Sequence, residues 1–501
     1  MTPEAEQPTP EEMTPLRRSV VTGVKWGSAS AGAIFVIGLV QTATLAHLLT
    51  PSDFGLMAAA AVVLGLARAF ADLGLSSAIV AKQVRDQETL SSLYWASLIA
   101  GLAMFGIVLA LMPLMVRFYR QPELYHIIPW AALSFVIIPI GQQFQMILQM
   151  DLHVERLVKV DVASAFIALL VGVGAAYAGA GALSLVFGYL ARVGVTSLLF
   201  AVWGWKHWRP SLRLRRRDLD GYISFGLYQM GERTANFLSA NVDYLLVGRY
   251  LGLDALGAYS IAYQLVVKPV FELNPILTRV AFPAFSKKQG DDPALARGYL
   301  EVIRLIAFII VPTMAAVAAL APVIVPVLFG AKWHASIVLL QILAVVGITR
   351  GLTSPVGDLV LAKNRPDLNF RVNAVLFAIM AGALFAAVHV SLVAVAATSA
   401  AVNTLDFVLF LLVIRWLVGL GLGRYWHVLR WTVVNSALAA GAMLATRLLL
   451  EPHLGVGWRL LVISSAVGVV TYLGLGLLYE RRYILQMVAL VRPVRVARPS
   501  T

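Results

Sequence analysis

Residues 48–80 read LLTPSDFGLMAAAAVVLGLARAFADLGLSSAIV. After the turn around Thr50 to Asp53 the chain stays apolar long enough to cross a hydrocarbon layer of about 30 Å, which takes roughly 20 helical residues. Two charges, Arg68 and Asp72, interrupt the run four residues apart. At mid-depth each costs about 2.5–3.5 kcal/mol on insertion scales, so each must face protein, a partner or water rather than lipid. The stretch therefore sets two expectations: a membrane-spanning helix, and a polar interior beside it. The pair is either a structural clip, neutralising itself at i, i+4, or part of a pathway.

The whole chain has the same character. It is 59% hydrophobic and 13% charged, with a mean hydropathy of +0.81, a composition that no soluble chain of this length supports without large exposed apolar patches. Apolar runs at 24–48, 54–80, 91–116, 126–149, 160–180, 182–204, 222–247, 255–283, 301–328, 336–361, 372–389, 391–414, 431–449 and 460–479 predict about fourteen spans. The fold class expected is all-α, a polytopic membrane protein.

Lys and Arg number 40 against 26 Asp and Glu, a net charge of +14. They are unevenly placed. One side of the predicted membrane holds Arg17, Arg18 and Lys25, then Lys82 and Arg85, then Arg156 and Lys159, then the run of bases from Lys206 to Arg217, and most of those that follow. The other side holds only Arg117, Arg120, Arg249, Lys332, Arg447 and Arg459. Basic loops stay cytoplasmic, so both termini are expected there, in a bacterial inner membrane. The asymmetry also accounts for a pI near 10.0 without nucleic acid, because basic loops lie against anionic membrane lipids. The chain has no cysteine, which excludes thiolate metal sites, disulfides and thiol nucleophiles together. It also has no GxxxxGK[ST] loop for nucleotide phosphates. No cofactor, metal site or catalytic constellation is expected.

The organisation expected along the chain begins with an acidic, Pro-rich cytoplasmic tail (1–19) that lacks the order of a signal peptide. An N-terminal six-helix lobe (20–205) and a basic cytoplasmic linker (206–221) precede a C-terminal six-helix lobe (222–414). An interfacial segment mixing Arg with Trp and Tyr (415–430), two accessory helices (431–480) and a basic cytoplasmic tail (481–501) complete it. An internal repeat supports the two lobes. LTPSDFG at 49–55 and LGLDALG at 251–257 occupy equivalent loops six spans apart. An even offset gives two parallel halves related by an axis along the membrane normal.

Polar residues line up on predicted helix faces. Lys268, Glu272, Pro275 and Arg279 follow i, i+4, i+7, i+11 in the eighth span. Glu232, Arg233 and Asp243 share a face in the seventh with Gln229, Asn236 and Ser239, as Arg350, Ser354 and Asp358 do in the tenth. With Arg68, Asp72, Arg192 and Asp406 these groups predict one central polar cavity. Guanidinium forks bind oxyanions bidentately and stay charged at any pH, so Arg68, Arg192, Arg233, Lys268, Arg279 and Arg350 are the candidate cavity bases. Asp72, Glu232, Asp243, Glu272, Asp358 and Asp406 are their charge partners or ion-coupling candidates. Prolines at 129, 139, 269, 275, 312, 322, 326 and 355 predict kinks.

Residues 48–80, QMILQMDLHVERLVKVDV (145–162), HWRPSLRLRRRDL (207–219), NVDYLLVGRYLGLDALGAYSIAYQL (241–265), FPAFSKKQGD (282–291) and LFGAKW (328–333) carry a resemblance. The chain resembles the polysaccharide transporter branch of the multidrug/oligosaccharidyl-lipid/polysaccharide exporter superfamily, nearest to exopolysaccharide exporters of the colanic acid or xanthan type. The resemblance implies two lobes around a central cavity that opens alternately to each side. It implies a polyprenyl-pyrophosphate-linked oligosaccharide repeat unit as cargo, flipped between leaflets, with a polysaccharide polymerase and chain-length machinery as accompanying partners. Two other readings stay open. A drug/cation antiporter of the same superfamily would favour cavity carboxylates and aromatics over arginines. A membrane polymerase or ligase would present a sizeable outer loop.

Overall fold

The computed structural model describes residues 15–71, 86–151, 153–206, 208–215, 223–286 and 290–479. Among them there is no strand. The helices are α1 (Pro15–Leu48), α2 (Pro51–Ala71), α3 (Gln87–Tyr119), α4 (Leu124–Ala132), α5 (Ser134–Met150), α6 (Val154–Tyr177), α7 (Leu183–Gly204), α8 (Ile223–Tyr250), α9 (Leu253–Ser286), α10 (Asp292–Phe329), α11 (Ala335–Ala362), α12 (Pro366–Val388), α13 (Leu392–Val418), α14 (Leu422–Leu454) and α15 (Trp458–Tyr479). Twelve are long and apolar enough to cross a membrane among the described residues, α4 and α5 counting as one. The other two, α8 and α9, are rods of 28 and 34 residues at the positions expected for the seventh and eighth spans, where the polar stripes lie.

Two sequence expectations change in detail. The fourth span is two helices that break at Leu133, between Pro129 and Pro139, because each proline removes a donor from the ladder. The stretch 415–430 is no helix of its own. Its first residues end α13, Gly419 caps that helix at φ +66°, and the rest opens α14, which runs unbroken for 33 residues. At 1.5 Å per residue α14 is about 50 Å long, enough to span the hydrocarbon and carry its Arg- and Trp-bearing first turns beyond it.

In the N-terminal half α6 packs on α1 and α7, and α5 on α3 and α7; in the C-terminal half α11 packs on α9, α10 and α13, and α12 on α13. The contact between the halves is made chiefly by α2 against α9 and α8. The repeated loops explain why these helices meet. Thr50 and Asp53 form a reciprocal cap: the Asp53 carboxylate accepts from the Thr50 backbone N–H at 2.8 Å, and the Asp53 N–H donates to the Thr50 hydroxyl at 3.2 Å. Pro51 takes the first helical position, where its missing N–H costs nothing. One turn on, Gly55 lies against the Leu253 backbone, and Gly257 lies against that of Pro51. A Cβ on Gly55 would sit 2.0 Å from the Leu253 carbonyl oxygen, and one on Gly257 would sit 1.9 Å from that of Pro51. The two contacts are the same contact made twice with the halves exchanged. The small side chains of Ala58, Ala59, Ala60, Ala258 and Ala262, all buried, carry the close approach inward, as in other membrane helix pairs.

A second clasp joins the halves at the same end. Gly330, at φ +93°, turns the chain after α10 so that Trp333 donates its indole N–H to the Ala46 carbonyl at 3.0 Å and Lys332 donates to that of His47 at 3.0 Å. Both acceptors are orphan carbonyls of the last turn of α1, where a cation is favoured. Trp333 is fully buried and meets Phe54 edge-on at 5.1 Å.

At the other end, Asp86 caps α3 by accepting from the Thr89 N–H and hydroxyl at 2.9 and 2.8 Å, bonds that hold its carboxyl below the usual carboxylate range. The described part of the basic linker lies along this helix start. Its Trp208 is buried against Tyr94 and Phe144, the Ser211 N–H donates to Ser91, the Trp95 indole donates to the Ser211 carbonyl, and Arg213 pairs with Glu88.

Candidate functional site

The described polar groups gather around two cavities rather than one. The first, about 520 Å³, is enclosed by α2, α3, α5, α6 and α7. Arg68 enters it from α2, Tyr189 and Arg192 from α7, Asp161 from α6, and Gln142 and Gln145 from α5. Both arginines are exposed to it. Arg68 donates to the Tyr189 hydroxyl and stands 5.3 Å from the centre of that ring. Asp161 lies within electrostatic reach of Arg192. Among the described residues two guanidinium groups stand against one carboxylate in a space walled by membrane helices. Guanidinium groups so placed are able to take an oxyanion by charge-assisted, bidentate hydrogen bonds.

The second cavity, about 380 Å³, is bounded by α8, α9, α11, α12 and α13. Its described base is Arg350, and that base is engaged. Its Nε donates to the Asn403 side-chain oxygen at 3.0 Å, and one terminal nitrogen donates to the Tyr263 hydroxyl. Behind it Asp243, buried, accepts from the Tyr259 hydroxyl at 2.7 Å, and Tyr259 stacks on Tyr263. Asp406 lines the same cavity within reach of the Arg350 charge. Arg350 is thus held by partners on three helices, as a buried charge requires.

The sequence-predicted residues thus divide. Arg68 and Arg192 share the first cavity; Arg350, Asp243 and Asp406 belong to the second. Asp358 lies on α11, half-buried and engaged with a neighbouring group, and does not line either cavity. Glu232 and Arg233 fall within α8, and Lys268, Glu272 and Arg279 within α9, but their side chains lie outside the described residues, as does Asp72 altogether. Among the described residues the polar groups line two cavities, and a single central cavity stays an expectation. Tyr189, Asp161, Tyr259, Tyr263 and Asn403 were not singled out from sequence. Asp161 alone had a visible signal, as an acid at the head of a predicted span; the tyrosines and the asparagine carry no charge to draw the eye.

A helical, multi-pass membrane protein with polar cavities among its spans has the build of an integral membrane transporter. The comparisons with known proteins agree. The profile of the family described as polysaccharide biosynthesis protein matches residues 44–338, and the chain belongs to that family. It is 31% identical over 467 residues to the teichuronic acid biosynthesis protein TuaB of Bacillus subtilis (strain 168), covering 92% of this chain and 96% of that one. It is 32% identical over 358 residues to the lipopolysaccharide biosynthesis protein WzxC of Escherichia coli (strain K12), covering 72% and 73%. Among solved structures it is similar in fold to the lipid II flippase MurJ in an inward closed conformation, with a TM-score of 0.71 at 12% identity, over 91% of this chain and 99% of that one.

Proposed function

We propose that this chain is a flippase that moves polyprenyl-pyrophosphate-linked oligosaccharide repeat units across the bacterial cytoplasmic membrane by alternating access, for polysaccharide biosynthesis. The observation that carries the reading is the pair Arg68 and Arg192, exposed to a cavity inside a membrane-spanning bundle. A bare pyrophosphate cannot cross hydrocarbon, because burying an unpaired charge there is prohibitive. A cavity with two arginines replaces its water while the prenyl tail stays in lipid. The family assignment and the names of the relatives point the same way. They do not suggest an enzyme, and the proposal is transport without covalent chemistry.

In this reading the two halves are six-helix lobes, α14 and α15 are accessory, and both termini face the cytoplasm. The paired contacts of Gly55 and Gly257 then lie at the outer end and close it. An ion gradient supplies the energy, since the chain has no P-loop, and Asp243 is the described carboxylate best enclosed for coupling. The test is the fate of the cargo in cells lacking the protein. Completed lipid-linked repeat units should accumulate on the cytoplasmic leaflet and be relieved by the wild-type chain but not by Arg192→Ala. Normal appearance of the repeat unit on the outer leaflet, with only polymer length or drug sensitivity changed, would shift the reading to a polymerase or an antiporter.

A further inference from the structure

The second cavity has a different chemistry from the first, and that difference assigns it a different part of the cargo. Its one described base is already bound to a hydroxyl and an amide oxygen and faces two carboxylates. An entering pyrophosphate would have to displace these partners and meet the Asp406 carboxylate in the cavity wall, a like-charge encounter that opposes binding.

What the cavity does offer is uncharged hydrogen-bonding capacity beside aromatic surface. Asn369 and Asn373 of α12 reach it together with Asn403 and Asp406 of α13. The Asn373 Nδ2 donates to the Asn369 carbonyl and side-chain oxygens at 2.9 and 3.1 Å. The Asn373 Oδ1 and the Asn369 Nδ2 are left without a protein partner among the described residues. One oxygen of Asp406, although buried, also makes no hydrogen bond among the described residues; such an atom is costly unless something supplies a donor. Phe377 and Phe410 complete the wall.

Amides and carboxylates side by side offer acceptor and donor pairs at the spacing of neighbouring hydroxyls, each of which both donates and accepts. Aromatic faces cover the C–H face of a sugar ring while its hydroxyls reach past the edge. At about 380 Å³ the space is within the usual range for a small-ligand site of a few convergent polar groups in apolar walls.

We propose that this cavity, through Asn369, Asn373, Asn403 and Asp406 with Phe377 and Phe410, is the saccharide subsite of the transport path, separate from the pyrophosphate subsite at Arg68 and Arg192. The proposal rests on the flippase reading and adds to it a division of labour: the N-terminal half holds what every lipid-linked cargo shares, and the C-terminal half reads what distinguishes one cargo from another. Substitutions in the second cavity change which sugar is accepted; substitutions in the first change all cargoes alike.

The test compares two probes on the purified full chain in detergent: undecaprenyl pyrophosphate without sugar, and the intact lipid-linked oligosaccharide extracted from the host cell. The ratio of their dissociation constants isolates the contribution of the sugar. Asn373→Leu, at an exposed position, and Asp406→Asn should each lower that ratio about tenfold or more, the equivalent of roughly 1.4 kcal/mol. Affinity for the sugar-free lipid should stay unchanged. Arg192→Ala should weaken both probes equally, and Asn373→Gln should restore part of the lost ratio. A wild-type ratio of one, or variants that leave the ratio unchanged or weaken both probes together, overturns the saccharide subsite while leaving the flippase reading intact. Failure of the wild-type chain to bind either probe overturns both.

Discussion

Replacing Gly55 by alanine puts a methyl carbon 2.0 Å from the Leu253 carbonyl oxygen, where contacts below 3.0 Å essentially never occur. The obstacle is backbone on a helix start, so it cannot swing aside as a side chain would. The two helices must part by about 1 Å at that point. Overpacking of this kind costs about 1–3 kcal/mol, and here the cost falls only on the state in which α2 and α9 touch. A transporter that opens by separating its halves at this end escapes the penalty when open. Gly55→Ala should therefore shift the population toward the open state by roughly 5- to 150-fold. Gly257→Ala, which meets the Pro51 oxygen at 1.9 Å, should do the same. The double substitution should fall short of the sum, because the two sites share one contact. The chain contains no cysteine, so Ala58→Cys, buried one turn deeper at 8% exposure, gives a clean reporter. Its rate of labelling by a membrane-impermeant maleimide applied from the Pro51 and Leu253 side should rise by that factor in either glycine variant. An unchanged rate in a stably inserted variant would refute the claim that the glycine pair closes this end.

Arg68→Ala should reduce export by roughly 10- to 150-fold, the equivalent of the 1.5–3 kcal/mol of a charge-assisted hydrogen bond. Arg68→Lys should retain part of it, since lysine keeps the charge and loses the fork; the readout is polymer secreted per unit of inserted protein. Trp333→Ala removes a fully buried ring and the donor to Ala46 and should cost about 3–5 kcal/mol, seen as a lower Tm in detergent. Asp86 has a carboxyl held below its ordinary 3.8 by the Thr89 bonds. Its contribution is fully present above that value and is lost as pH falls through the lower folded one. Asp86→Asn, which keeps an N-cap without a titrating group, should flatten the loss of thermal stability as pH falls below 3.8.

Much of the fold was legible because membrane insertion imposes one dominant pattern. Runs of apolar residues mark the helices, and the loops at 49–55 and 251–257 announced two equivalent helix starts that meet. The structure gives that repeat its physical reason: both loops start a helix at the point where the halves touch, and both need a glycine for the touch to occur. What was not legible depends on contacts between distant parts of the chain. Arg68 donates to Tyr189, a residue 121 positions away, a partner that its i, i+4 spacing to Asp72 does not announce, and Asp72 itself lies outside the described residues. Helical periodicity shows which residues share a face, but not which helix that face meets. For the same reason nothing in the sequence divides Arg192 from Arg350, which line different cavities among the described residues. The stretch 415–430 read as interfacial from its Trp and Arg content; Gly419 and Gly421, which end one helix and begin the next, were the signal that divided it.

The central claim is tested most directly by reconstituting the purified chain in vesicles that carry a lipid-linked oligosaccharide and measuring how much becomes accessible to an added glycosidase with time. The account predicts movement of the lipid-linked sugar in wild-type vesicles and none above protein-free vesicles with Arg192→Ala. Equal movement in both would contradict it, because the two-arginine cavity would then not lie on the path of the cargo.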